Sequence, residues 1–199
     1  MNSTLIESLK QRRTQYALGR NVSLDNDALT HLIKEAIRHT PSSFNSQSSR
    51  AVILFGGQSE KFWSLTKQEL STIVPAEAFA PTAAKLDSFA AGVGTVLFYE
   101  DQAVVDGMQK QFALYAENFP VWSEQSGGMA QFAVWLALTE AGLGASLQHY
   151  NPVADDATRQ EWNVPVSWKL RAQMPFGSHE AGFGDKAFMA DEQRFIVKG

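Results

Sequence analysis

The segment from about Glu124 to Ala141 constrains this chain most, because Met129, Phe132, Ala133, Val134, Leu136, Ala137 and Leu138 make it apolar around most of a helical circumference. A helix without a polar face has to be covered on several sides. It predicts a fold in which other elements pack around one long helix. With 199 residues, 44% of them apolar and 19% charged, there is material for one compact core and none of the composition of a disordered chain, so residues 1–199 read as a single domain.

Around that helix the pattern alternates strands and helices. Leu5 and Leu9 predict a short first helix ending near Arg12 and Arg13. Ser23 is placed to cap a second helix, with Asp25 and Asp27 in its first turn and Leu29, Leu32, Ile33, Ala36 and Ile37 at helical spacing. Pro41 stops it, and a polar loop runs from Pro41 to Ser49. The apolar runs Ala51 to Phe55 and Thr95 to Tyr99 predict buried strands, the second closed by Glu100 and Asp101. Between them lie helices over about Trp63 to Leu70 and Ala83 to Ala91, and a further helix is expected over about Gln102 to Glu117. After the long helix come a short strand or turn at Ala145 to Leu147, a helix from Asp155 to Trp162, a strand from Trp168 to Met174, a glycine-containing loop from Phe176 to Lys186 and a terminal strand at Phe195 to Val197. Some connections hold two helices, so the class is α+β rather than regular βαβ winding.

Several functions are disfavoured at once. There is no cysteine, which removes disulfides, thiolate nucleophiles and cysteine-ligated metal clusters. Redox chemistry would have to use a bound cofactor. A net charge of −4 gives no chain-wide attraction to nucleic acid or anionic lipid. No apolar run reaches about 18 residues and the first ten lack a signal-peptide core, so a cytoplasmic location is expected, with no membrane partner. That context empties the glycosylation-type matches Asn2-Ser3-Thr4 and Asn21-Val22-Ser23 of meaning. Walker, nucleophile-elbow and His-Glu-x-x-His signatures are missing, and Gly92-Val93-Gly94 and Gly142-Leu143-Gly144 read as helix ends. His31, His39, His149 and His179 form no close pair with ligand spacing, so no metal site is expected.

What remains is a dispersed polar set. Arg12 and Arg13 either clamp a phosphate with their fixed guanidinium forks or lie solvated at a helix end. Asn45 and Gln47 either shape a turn or offer the paired donors and acceptors that the edge of a planar ring requires.

Taken in chain order, these pieces resemble the nitroreductase family: a helix followed by Arg12-Arg13-Thr14, a helix ending at Pro41-Ser42-Ser43, Asn45-x-Gln47 before a strand, the long apolar helix with its Gly142 to Ser146 turn, and Phe176-Gly177 followed by Lys186 and Asp191-Glu192. The likeness runs over essentially the whole chain. Gln148-His149-Tyr150-Asn151-Pro152 is similar to the subgroup of fungal fatty-acid-repression proteins and related bacterial nitroreductases, where most of the family has glycines.

The resemblance implies a three-layer sandwich with a mostly antiparallel central sheet, and an interlocked homodimer with FMN at its interface. It implies that Arg12, Arg13, Thr14 and Lys186 hold the FMN phosphate, that Tyr16, Asn45 and Gln47 meet the ribityl chain and ring, and that Leu147, Gln148 and His149 lie along the isoalloxazine. Phe44, Phe112, Tyr115 and Phe119 fall where the family varies its substrate pocket; plain core packing is the other reading of this aromatic spacing. One position departs: Phe188 stands where a second C-terminal cation is common, with Arg194 as the candidate substitute. The activity implied is ping-pong transfer of hydride from NAD(P)H through FMN to nitroaromatic or similar acceptors, with no side-chain acid or base required. A flavin-binding regulatory or storage protein with little turnover is the alternative.

Overall fold

A computed structural model describes residues 4–199, so Asn2 and Ser3 of the first glycosylation-type match lie outside the described residues. Five strands form one antiparallel arrangement: β1 (Leu18–Gly19), β2 (Ser49–Phe55), β3 (Gly94–Asp101), β4 (Gly144–Ala145) and β5 (Trp168–His179), in the order β1-β5-β3-β2 with β4 also paired to β5. The helices are α1 (Thr4–Gln11), α2 (Asn26–Arg38), α3 (Gly57–Ser71), α4 (Phe79–Ala90), α5 (Gln102–Gln111), α6 (Phe119–Glu140), α7 (Asp155–Trp162) and α8 (Asp191–Arg194).

β3 organises the packing, and every one of its residues is buried. Because successive side chains on a strand point to opposite faces, Val96 and Phe98 meet Leu29 and Ile33 of α2 and Val134 and Leu138 of α6. Leu97 and Tyr99 turn the other way, to Phe62 and Trp63 of α3 and Leu86 and Phe89 of α4. The result is helix, sheet, helix, and each such aliphatic side chain contributes about 1.5–3 kcal/mol by leaving water.

Several expectations need correction. Asp25, not Ser23, caps α2: its side chain accepts from Ala28 N at 2.8 Å. The run at Ala51 to Phe55 is an edge strand in which only Leu54 is buried, since β2 has a single neighbour and its far side is uncovered. The helix expected over 102–117 breaks at Phe112 and continues as a 3₁₀ turn, Ala113–Asn118. α6 starts five residues early, with Pro120 in its first turn, where a missing N–H costs nothing. β5 runs on through Phe176 to His179, because β1 and β4 pair with its end. Phe195 to Val197 is exposed and forms no strand among the described residues; a short α8 precedes it.

Within the chain α6 buries one face only, through Phe119, Ser123, Ser126, Gly127, Ala130, Gln131, Val134 and Leu138. Met129 and Phe132 on its opposite side remain exposed. Gly142, at φ +76°, terminates the helix and turns the chain into β4.

Candidate functional site

The expected phosphate residues emerge at the end of α1 and converge with the C-terminal loop. Arg12 lies with its guanidinium 4.3 Å from the centre of the Trp135 ring on α6. Arg13 Nη2 donates to Gly184 O at 2.8 Å and stands over Phe183, which draws the segment carrying Lys186 toward the arginines. Burial, and secondarily the charge of Arg13, lowers the Arg12 pKa from the usual guanidinium value. Among the described residues no carboxylate pairs with Arg12, Arg13 or Lys186. Lys186 Nζ instead sits 5.1 Å over Phe188, and Arg194 lies over Phe195 on α8, with no described contact joining it to Arg12 or Arg13.

Thr14 forms a parallel bridge with Ala145, and Gln15 N donates to Ala145 O at 2.9 Å, so the cation cluster and the segment Leu147 to His149 belong to one surface. Gln15, which sequence reasoning passed over, is the buried tie: its Nε2 also donates to Ala181 O at 2.7 Å. Gln148 exchanges both backbone hydrogen bonds with Gln173, at 2.7 and 2.9 Å, while its side-chain amide turns inward to Ser146 Oγ. Fully buried Gln173 accepts from Tyr150 N at 2.7 Å and donates to Asn151 Oδ1. His149 therefore stands exposed between two anchored neighbours. Tyr16 is exposed with Lys85 Nζ 5.2 Å from its ring centre and Phe89 on the same side. Lys85 was not legible as a site residue, because on α4 it reads only as one solvated charge.

The amide loop sits elsewhere. Phe44, Asn45 and Gln47 have φ of 55°, 51° and 49°, the left-handed region, and all three are exposed. Asn tolerates that geometry; an aromatic residue there is strained by about 1 kcal/mol or more. Ser42 Oγ closes the turn by accepting from Gln47 N at 2.9 Å. Phe44 packs on Phe112 (4.7 Å between centroids), Phe119 (5.4 Å), Tyr115 (6.0 Å) and Trp122 (6.2 Å, stacked). Of these, Phe119 is buried and forms the floor. Beside the loop a cavity of about 180 Å³ opens among Arg38, Thr40, Ser42, Gln47, Arg50 and Ala130.

The two groups of residues lie apart within the chain. Arg12 touches α6 at Trp135 and the aromatic loop touches it at Trp122, thirteen residues and hence about 20 Å apart at the rise of an α-helix. Across the sheet, Gln148 is opposite Gln173, Gln173 opposite Leu97 and Leu97 opposite Val52, three strand spacings of about 4.8 Å each. Gln47 lies beyond the end of β2, further away still.

The chain matches the nitroreductase family over residues 9–178. It is 33% identical over 190 residues to the nitroreductase FRM2 of Saccharomyces cerevisiae, which covers 92% of each chain. The nitroreductase CinD from Lactococcus lactis in complex with nicotinic acid is 54% identical and superimposes with a TM-score of 0.92 over 98% of this chain and 100% of that one. CinD is also solved with chloramphenicol and with 4-nitrophenol, each at a TM-score of 0.90. A protein from Desulfovibrio desulfuricans in complex with FMN shares the fold at a TM-score of 0.73 and 15% identity, covering 100% of this chain and 99% of that one.

Proposed function

The chain belongs to the nitroreductase family of oxidoreductases, and on that premise we propose that it binds FMN as a single domain and reduces nitroaromatic or similar acceptors with NAD(P)H by a ping-pong mechanism. One observation carries this reading: Arg12 and Arg13 stand side by side without a carboxylate partner among the described residues, beside the segment that leads to His149, and Arg13 holds Gly184 of the loop that carries Lys186, itself without a carboxylate partner there. Adjacent cations that share no counterion favour an anion between them, and guanidinium forks match a phosphate. The donor set thus fits the FMN tail, with Thr14 adding a hydroxyl.

When bound, FMN would accept hydride from the nicotinamide and pass it to the acceptor. The protein's part is orientation. Asn45 and Gln47 would meet the ring edge and ribityl chain, Leu147, the Gln148 backbone and His149 would line the ring, and Tyr16 with Lys85 over it would bring positive charge near a reduced, anionic ring. Phe44, Phe112, Tyr115 and Phe119 would receive the acceptor, in keeping with the aromatic molecules bound by CinD.

We propose a homodimer, because the cation half and the amide half would then meet from opposite subunits. An apolar groove of about 490 Å³ along α6, lined by Met129, Ala133, Leu136, Ala137, Leu5 and Ala36, supports this, as do the exposed Phe195, Ile196 and Val197. No helix among the described residues is long and apolar enough to cross a membrane; the proposed setting is cytoplasmic, with no nucleic-acid partner for a chain of net charge −4.

The visible spectrum tests the proposal. Purified protein incubated with FMN should show bound flavin, bleach on anaerobic NADH or NADPH, and recover colour on addition of 4-nitrophenol or another nitroaromatic. Binding and bleaching without recovery would mark a flavin carrier with little turnover, and failure to bind FMN would end the proposal.

A further inference from the structure

Glu100, the penultimate residue of β3, is fully sealed from solvent and has no part in the chemistry proposed above. Burying an ionised carboxyl without compensation costs several kcal/mol. Its two oxygens are taken by the first residue of β2 and the one before it: Ser48 Oγ donates to Oε2 at 2.6 Å and Ser49 Oγ to Oε1 at 2.5 Å. Behind it α6 presents Gly127, where even a methyl group would lie 2.8 Å from Oε1. Two ion pairs flank it, Arg50 with Asp101 and Arg171 with Glu124.

Ser48 and Ser49 are also the first residues beyond the left-handed turn at Phe44, Asn45 and Gln47. Such a turn persists only where its surroundings over-determine it. Upstream it is tied by Ser42 Oγ to Gln47 N, and downstream by Arg50 Nη1 to Gln47 O and by the two serine hydroxyls to Glu100. We infer that Glu100 is a positioning residue for the amide loop: its buried carboxyl fastens Ser48 and Ser49 to β3 and so holds Asn45 and Gln47 in the orientation that presents them to ligand. This rests on the reading of that loop as the FMN edge. Without the carboxyl the serines lose their acceptor, the turn relaxes toward ordinary φ values, and the amides swing out of place.

The test compares Glu100→Leu with Glu100→Gln, whose amide can accept from one serine and donate to the other. FMN dissociation constants are measured by flavin fluorescence, and amide hydrogen exchange of residues 43–49 is measured in the same full-length protein without FMN. Glu100→Leu should weaken FMN at least about tenfold and speed loop exchange by a similar factor, while Glu100→Gln stays within about threefold of wild type in both. Should Glu100→Leu fail to fold, Ser48→Ala decides, with the same direction expected in both readouts. Wild-type affinity with unchanged loop exchange in the leucine or alanine variant overturns the assignment, as does Glu100→Gln behaving like Glu100→Leu. If wild-type protein itself refuses FMN, the flavin reading falls, and loop exchange alone still decides whether Glu100 fastens the turn.

Discussion

Gly127 of α6 and Glu100 of β3 touch so closely that a Cβ built on the glycine would lie 2.8 Å from Glu100 Oε1. The glycine is not there for backbone freedom, since it sits inside a regular helix; it is there because the carboxyl needs the room. Gly127→Ala, which elsewhere in a helix would favour stability, is expected to destabilise by about 1–3 kcal/mol through overpacking. Shortening the partner should relieve the clash, so Glu100→Ala and Gly127→Ala combined in a double-mutant cycle should show a favourable coupling. Thermal or urea unfolding of the four proteins measures it, and additivity would disprove the contact.

The same carboxyl predicts how stability depends on pH. Burial pushes the Glu100 pKa up from its usual value, the Ser48 and Ser49 hydroxyls and Arg50 oppose this, and Glu124 adds to it. A folded-state value above the unfolded one, about 4.3, means a contribution that is complete below the unfolded value and is lost as pH rises through the folded one. Asp155, raised chiefly by burial, acts in the same sense. The difference in melting temperature between wild type and Glu100→Gln should therefore move against wild type as pH climbs from about 4.3 toward neutrality. A difference that is flat across that window would show the carboxyl to be unperturbed.

Loss of the cation cluster should appear in affinity before anything else. Hydrogen bonds to a charged group are worth about 1.5–3 kcal/mol, so Arg12→Ala or Arg13→Ala should each weaken FMN by roughly ten- to a hundredfold. Lys186→Ala should cost less, because an exposed ammonium is more strongly hydrated than a guanidinium. Fluorescence titration against FMN and against riboflavin separates the phosphate contribution: riboflavin binding should be nearly indifferent to all three substitutions.

The elements that propensity and burial decide together were readable from the residues. α2 follows its apolar period and β3 its unbroken apolar run, α7 has the expected bounds, and the two arginines do follow the first helix. Where the outcome depends on a partner supplied by distant chain, the sequence was silent. β1 and β4 are two-residue strands that exist only because the end of β5 offers edges, and the break after α5 at Phe112 has no proline or glycine to announce it. Asp25 displaced Ser23 as cap because the helix begins two residues later than Ser23 requires. In the site, Arg12 to Thr14 could be listed in order along the chain, but Gln15, Lys85 and Gln173 matter through contacts at sequence separations that no local pattern encodes. Gln148, expected along the ring, has its side chain turned to Ser146 and its backbone paired with Gln173, contacts that no local pattern announces.

The proposed division of the flavin site between two subunits is testable by mixing. One protein carries Arg12→Ala with Arg13→Ala, a second carries Asn45→Ala with Gln47→Ala, and each alone should lack tight FMN binding. If a site takes its cations from one subunit and its amides from the other, a mixed dimer has one site with both sets damaged and one with both intact. Random mixing at equal concentrations makes half the dimers mixed, so about a quarter of wild-type sites should return, and with them about a quarter of the NADH-driven reduction. If each subunit built its site alone, every site in the mixture would carry one damaged half. The amount of bound flavin recovered after co-refolding therefore separates the two arrangements, and no recovery would mean that the roughly 20 Å between Trp135 and Trp122 is bridged within one chain.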